Sequence, residues 1–220
     1  NIKTKFFYRN DGPTIVKKRY FNQYLNQKLF EINFLNTQYI NSHLESSIIE
    51  YIKSQIPSYN LVLVSDFGHG FITNNIIKGI EAYSKKIVVN TQTNAANAGY
   101  NMITKYSNPL YVCLDEPEVR IAAQERYANI EDVAIKVKNL IDADYLVVTL
   151  GKKGSIGINK GNEINRTPIF STKVIDTVGA GDAFFAFTAP CFALGLPLNV
   201  VSFIGNAAGA LAVQIVGNKK

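Results

Sequence analysis

Four short apolar runs, each followed by a segment with helical spacing, constrain this chain more than any other feature. The runs lie at 61–65, 86–90, 110–114 and 145–149, and the spacing around them predicts helices near 72–84, 96–105, 117–128 and 131–142. Strands this apolar along their whole length are buried on both faces. Strand–helix alternation of that kind builds a mostly parallel sheet with helices on both sides. Two short strands are expected within 155–175, and helices near 180–194 and 199–216 follow. Before the first run, Ser42 and Glu45 have the spacing of a capping box. Leu44, Ile48, Ile49, Ile52 and Ile56 then recur on one helical face.

The start of the chain reads differently. Residues 3–9, 14–21 and 28–34 are rich in Phe, Tyr, Ile and Val and read as strands, with Asn10-Asp11-Gly12-Pro13 as a turn between the first two. They predict a small antiparallel sheet within residues 1–36, a lid-like element beside an α/β core over 37–220. At 220 residues and 47% hydrophobic, the chain is long enough to bury such a core.

Composition narrows the partners. Against 17 acidic residues stand 23 basic ones, a net charge of +6, but the basic residues are scattered. That suits a small anionic ligand and leaves no nucleic-acid footprint. Cys113 and Cys191 lie in apolar surroundings and read as buried thiols of a cytoplasmic protein rather than a disulfide. His43 and His69 stand apart from any metal-ligand cluster. No residue from Ala183 to Asn218 is charged, yet Pro190, Gly195, Pro197 and Asn206 interrupt the stretch. Two buried helices meeting at Gly195-Leu196-Pro197 are expected there, and not a membrane span.

The chemistry concentrates in Asp176-Thr177-Val178-Gly179-Ala180-Gly181-Asp182-Ala183-Phe184. Glycines flanking Ala180 allow a sharp turn that presents N–H groups, and a helix starting there adds its positive end. The result is a nest for an anion, with Asp182 at its edge. A carboxylate beside an anion hole can take a proton from a hydroxyl that attacks a phosphoryl group. Gly181 is expected at positive φ beside the phosphate, so that Gly181→Val would strain the backbone, crowd the phosphate approach and damage turnover. Two other phosphate motifs fail locally. A dinucleotide fingerprint needs a third glycine where Phe184 stands and an acid further on, and none follows Asp182. Gly151-Lys152-Lys153 does not supply a P-loop.

The nine-residue string resembles the signature of the ribokinase-like (PfkB) carbohydrate kinases. The resemblance implies an anion hole at Gly179, Ala180 and Gly181 and a catalytic base at Asp182. Asp176 and Thr177, which open the string, are grouped with the nucleotide-binding residues. Four further places carry the likeness. Leu61 to Gly70, with Ser65-Asp66-Phe67-Gly68-His69-Gly70 at its end, is similar to a strand end of the heptose-phosphate kinase branch. It implies substrate binding at Asp66, with His69 where the branch has lysine. Asp115-Glu116-Pro117-Glu118 falls where the family has Asn-x-x-Glu, which implies a role for Glu118 around magnesium at one remove, through water or phosphate. Thr149-Leu150-Gly151-Lys152-Lys153-Gly154 matches the nucleotide loop, and Asn206 falls at the adenine pocket. Asn90-Thr91-Gln92-Thr93-Asn94 departs from the usual Asp-Pro strand end.

What the resemblance implies is a ribokinase-like fold that uses ATP and Mg2+ to phosphorylate a small sugar or sugar phosphate. The nearest branch is similar to the D-glycero-D-manno-heptose 7-phosphate kinases of lipopolysaccharide precursor synthesis, which act at the anomeric position. Other ribokinase-like activities, on a hexose phosphate or nucleoside, stay open, as does a non-catalytic nucleotide-binding module. The lid-like strands are candidates for closing the site or for a homodimer contact. Family members begin with about a hundred residues more. A fragment lacking much of the sugar pocket, with little sugar kinase activity alone, is therefore expected.

Overall fold

The computed structural model describes residues 2–22, 24, 27–94, 96–171 and 174–215. Expectations that reach residues 1, 23, 25–26, 95, 172–173 or 216–220 fall outside these at those positions. Two sheets form. The small one pairs β1 (Val16–Asn22) with β2 (Gln27–Phe34) in antiparallel register, Val16 opposite Phe34, with a bulge between Tyr20 and Phe21. Tyr20 stacks on Phe30 at 4.5 Å between ring centroids. Residues 3–9 are not a strand, contrary to their composition. Within the described residues they have no ladder partner. They lie as an extended arm instead, with Phe7 edge-on to Tyr51 and the Arg9 guanidinium donating to the carbonyls of Asn36 and Gln38.

The large sheet has six strands in the order β3 (Val62–Asp66), β4 (Ile87–Thr91), β5 (Tyr111–Asp115), β6 (Tyr145–Thr149), β7 (Ser155–Ile158), β8 (Ile164–Thr167). The first four run parallel, β7 returns antiparallel to β6, and β8 pairs antiparallel to β7. The helices are α1 (Ser42–Gln55), α2 (Asn74–Tyr83), α3 (Glu116–Ala123), α4 (Ile130–Leu140), α5 (Ala180–Ala193) and α6 (Leu198–Ala212). Strand side chains divide by parity. Val89, Val112, Leu114, Leu146 and Val148 join one core with residues of α1 to α4, while Val88, Tyr111, Cys113 and Val147 join another with Phe184, Phe185, Ala189 and Phe192 of α5. Burial on both faces is why these strands read as apolar runs. Each fully buried aliphatic side chain contributes about 1.5–3 kcal/mol.

Two helical expectations are corrected. Residues 96–105 hold no α-helix, only turns and a single 3-10 turn at Ile103–Lys105. Asparagine side chains there bond the backbone and compete with helix. Helix α1 is capped by Asn41, whose side chain accepts from the Leu44 N–H, and not by Ser42. Glu45 instead accepts from the Thr73 hydroxyl and the Asn75 amide, tying α1 to the start of α2. A reciprocal capping box does form, at Asp115 and Glu118 on α3. Both cysteines are free, Cys113 buried and Cys191 only half-buried. No helix among the described residues is long and apolar enough to cross a membrane.

Candidate active site

The carboxyl ends of parallel strands share one edge of the sheet, and register sets which residues meet there. Asp66 lies beside Thr91, and Asp115 beside Thr149, which in turn lies beside Ser155. Ligands of open α/β sheets bind at such an edge. A cleft of about 650 Å³ opens above it, lined by Asp115, Thr149, Gly151, Gly154, Thr177, Ala180, Gly181 and Asn206 among others.

Each wall has a local cause. β6 and β7 are joined by one 3-10 turn, Gly151–Lys153, closed by Leu150 N–H to Gly154 O at 2.8 Å. Gly154 sits at φ +85°, and a Cβ on it would fall 2.0 Å from the Thr167 carbonyl oxygen. No other residue fits that position. Asn206 enters from α6, its amide donating to Ser155 Oγ at 2.7 Å and to the Ser202 carbonyl at 2.8 Å. Thr149 Oγ1 reaches the Leu114 carbonyl at 3.4 Å.

The far wall is the start of α5. Asp176 is not on the cleft surface. Its carboxylate accepts from the Val178 N–H at 3.0 Å and shapes the turn from behind. Gly179 is the N-cap, at φ +83°, and no side chain closes the first turn. Ala180 and Gly181 of this first turn line the cleft, and the Ala180 N–H makes a long bond to the Thr177 carbonyl at 3.3 Å. The positive φ thus falls on Gly179 and not on Gly181. Gly181 is inside the helix, and a Cβ there would meet no atom within 4 Å. Substituting it would crowd a ligand and leave the backbone unstrained, so of the two expected causes of damage only the crowding remains. Asp182 is exposed one residue further on, and Oδ1 accepts from Gln92 Nε2 at 2.8 Å.

Glu118 stands behind the cleft. Its two oxygens accept from the N–H groups of Thr93 and Asp115, both at 2.9 Å. Burial first, and then the Asp115 charge, push its carboxyl up to about 7. Asp115 is raised in turn, chiefly by burial. Two interacting carboxylates with backbone donors suit a hard, hydrated cation nearby. Among the described residues no cluster of three or more metal-ligating side chains exists.

Asp66 is 2% exposed and held on every side. Oδ2 accepts from Tyr106 OH at 2.8 Å and lies 2.6 Å from Lys105 Nζ, while Oδ1 accepts from the Gly68 N–H. His69 is buried, both ring nitrogens lack a partner, and burial and then Lys17 lower its pKa, which favours the neutral ring. Lys17 of β1 lies 5.7 Å from the centre of the Phe67 ring, so the small sheet touches this strand end.

The structure therefore brings Thr149, Gly151, Gly154, Thr177, Ala180, Gly181 and Asn206 together around one cleft, with Asp182 beside it. It sets Asp66, Asp176 and Glu118 behind that surface. Sequence reasoning missed Gln92, Asn97, Asn101, Lys105 and Tyr106. The unusual run of amides from Asn90 to Asn101 was the available signal.

Comparison with known proteins bears on the family and the fold. The pfkB family of carbohydrate kinases matches residues 11–219. The bifunctional proteins HldE of Nitrobacter hamburgensis and Wolinella succinogenes are each 26% identical, over 91% and 94% of this chain. The chain spans about two fifths of their length, 41% and 43%. Phosphofructokinase-2 from Escherichia coli, in complex with potassium, superposes with a TM-score of 0.71 at 18% identity, over 86% of this chain and 62% of that one. Ribokinase from Thermotoga maritima gives 0.69 at 20% identity, over 96% and 66%.

Proposed function

Since the chain belongs to the pfkB family of carbohydrate kinases, we propose that it transfers the γ-phosphoryl group of ATP to a hydroxyl of a sugar or sugar phosphate. The favoured acceptor is a heptose 7-phosphate, phosphorylated at the anomeric position, which follows the similarity to the HldE proteins. The observation that carries the reading is Asp182, an exposed carboxylate on the uncapped first turn of α5, at the lip of the cleft. The acceptor oxygen attacks the γ-phosphorus, the bond to the β–γ bridging oxygen breaks, and ADP leaves with that oxygen. The hydroxyl proton passes to the Asp182 carboxylate. N–H groups of residues 179–181 stabilise charge on the transferred oxygens. Thr149, Gly151, Gly154, Thr177 and Asn206 hold the nucleotide, with Asp176 shaping the turn beneath it. Asp66 serves the acceptor side by holding Lys105.

Magnesium, when bound, neutralises phosphate charge. Glu118 and Asp115 fit its surroundings as hard oxygen donors acting through water. A proton on Glu118 competes with the cation, and that proton is lost as pH rises through about 7. Affinity for MgATP is therefore expected to tighten from about pH 6 to about pH 8, by at most roughly tenfold per pH unit. Isothermal titration calorimetry checks this, and Glu118→Gln should flatten the dependence.

The exposed apolar residues Phe30, Ile32 and Phe34 on the small sheet favour a cover, either closure over the acceptor or a second copy of the chain. The function itself is tested by screening full-length protein for ATP-dependent phosphorylation of heptose 7-phosphate against hexose phosphates, free sugars and nucleosides. ATP binding without turnover on any acceptor would leave a nucleotide-binding module instead.

A further inference from the structure

Gln92 follows β4 at the sheet edge, and its neighbours hold it unusually firmly. Its N–H donates to the Asp66 carbonyl at 2.8 Å. Its own carbonyl accepts two side-chain amides, Asn97 Nδ2 and Asn101 Nδ2, each at 3.2 Å. Those amides also bond the other strand end, Asn101 to the Asp66 carbonyl and Asn97 to the Phe67 carbonyl, both at 2.9 Å. Both asparagines are 4% exposed. Lys105 Nζ donates to Asn101 Oδ1 at 2.5 Å and pairs with the Asp66 carboxylate, so the clamp is braced from behind. Gly68 makes room for it, since a Cβ there would lie 2.3 Å from Asn97 Nδ2.

The side chain of Gln92 is the group this clamp leaves pointing outward, and it reaches Asp182 across 90 residues of sequence, Nε2 to Oδ1 at 2.8 Å. An exposed glutamine touching an exposed aspartate is ordinary. A glutamine whose backbone is fixed by two buried amides is not, because its side chain then starts from a fixed Cα and the region its donor can sample is narrowed. Asp182 itself is on the exposed first turn of a helix, and the bond to Gln92 restricts its rotamers.

We infer that Gln92 is a positioning residue for phosphoryl transfer. Clamped by Asn97 and Asn101, it ties down Oδ1 of Asp182 and leaves Oδ2 as the oxygen that receives the acceptor's proton. This rests on the reading of Asp182 as the base. The proton moves from the hydroxyl to Oδ2 while the Gln92 amide keeps its own protons throughout. The clamp also couples the β3 end, where Asp66 lies, to the base, so both strand ends set the angle at which the hydroxyl meets the carboxylate.

The test is a double-mutant cycle on full-length protein with the acceptor found in the screen above. Gln92→Leu keeps the size and the backbone bonds and removes the donor. It should lower kcat roughly 10–100-fold, the scale of a misoriented reacting group, with KM for ATP and the melting temperature little changed. Gln92→Glu, of the same shape, should lose at least as much by repelling Asp182. In an Asp182→Asn background, Gln92→Leu should add no further loss, because it acts through the carboxylate. A merely structural role would lower kcat in both backgrounds alike. Orientation is also read without turnover. The 13C carboxyl resonance of Asp182, identified by its loss in Asp182→Asn, should shift in Gln92→Leu. Full kcat in both Gln92 variants alongside an inactive Asp182→Asn would overturn the positioning role alone. Full kcat in Asp182→Asn would instead overturn the proposed base.

Discussion

Replacing Asp182 with asparagine is expected to lower kcat for sugar phosphorylation by about 10²–10⁴, the span for losing a positioned general base. The amide has the carboxylate's shape and can still meet Gln92, so ATP affinity should change little. The helix should also hold, because α5 is anchored beyond its first turn by Phe184, Phe185, Ala189 and Phe192 in the core. Single-turnover kinetics with saturating ATP separate the chemical step from binding. A near-normal kcat would remove Asp182 from the mechanism and leave the cleft as a nucleotide site with its base elsewhere.

The second large effect is expected at Gly154. Gly154→Ala places a methyl 2.0 Å from the Thr167 carbonyl oxygen at a backbone angle that alanine avoids. The obstacle is backbone, so no side chain can swing aside. Overpacking of this kind costs about 1–3 kcal/mol, and the positive φ combined with a ψ of −132° adds about 1–3 kcal/mol more. The turn must open, and with it the wall that Gly151 and Gly154 present to the cleft. Weaker ATP binding by about tenfold or more is expected, since each 1.4 kcal/mol is a factor of ten. The melting temperature should fall as well, because β7 and β8 pair beside the turn. Gly151→Ala is the control: a Cβ there meets nothing within 4 Å, and only the positive φ is penalised. Equal losses in the two variants would mean that strain, and not the clash with Thr167, sets the effect.

How far the fold could be read in advance depended on where each segment's partners lie. Strands β4 to β6 were legible because burial on both faces forces apolar residues at successive positions, and the run 145–149 coincides with β6; the edge strand β3 was apolar enough to read although it leaves Leu63 and Ser65 exposed. Helices α5 and α6 were legible from the charge-free stretch and the break at Gly195-Leu196-Pro197. Residues 3–9 were not, because strand composition alone does not supply a ladder partner, and this segment is held as an arm through Phe7 on Tyr51 and Arg9 on the Asn36 and Gln38 carbonyls. The 96–105 segment failed for a local reason: Asn97 and Asn101 serve carbonyls of other strands and not their own helix. In the site, the residue types around the phosphate turn were legible, but not which of two glycines takes the positive φ. That depends on the Asp176 side chain bonding Val178 and fixing where the turn ends. The link between Gln92 and Asp182 joins positions that no local pattern connects.

The two halves of the site stand on different foundations, and that bears on how such a chain can diverge. The base side rests on α5, whose apolar face is locked against Val88, Tyr111, Cys113 and Val147. The acceptor side rests on the ends of β3 and β4 and on a loop stitched by amide side chains. A lineage could redraw residues 66–70 and 92–106 to suit a new sugar without reopening the packing under the base. The nucleotide machinery would be inherited intact while the acceptor drifts. Gln92 is the stitch across that divide, so a descendant that changes acceptor is where its replacement would first be tolerated.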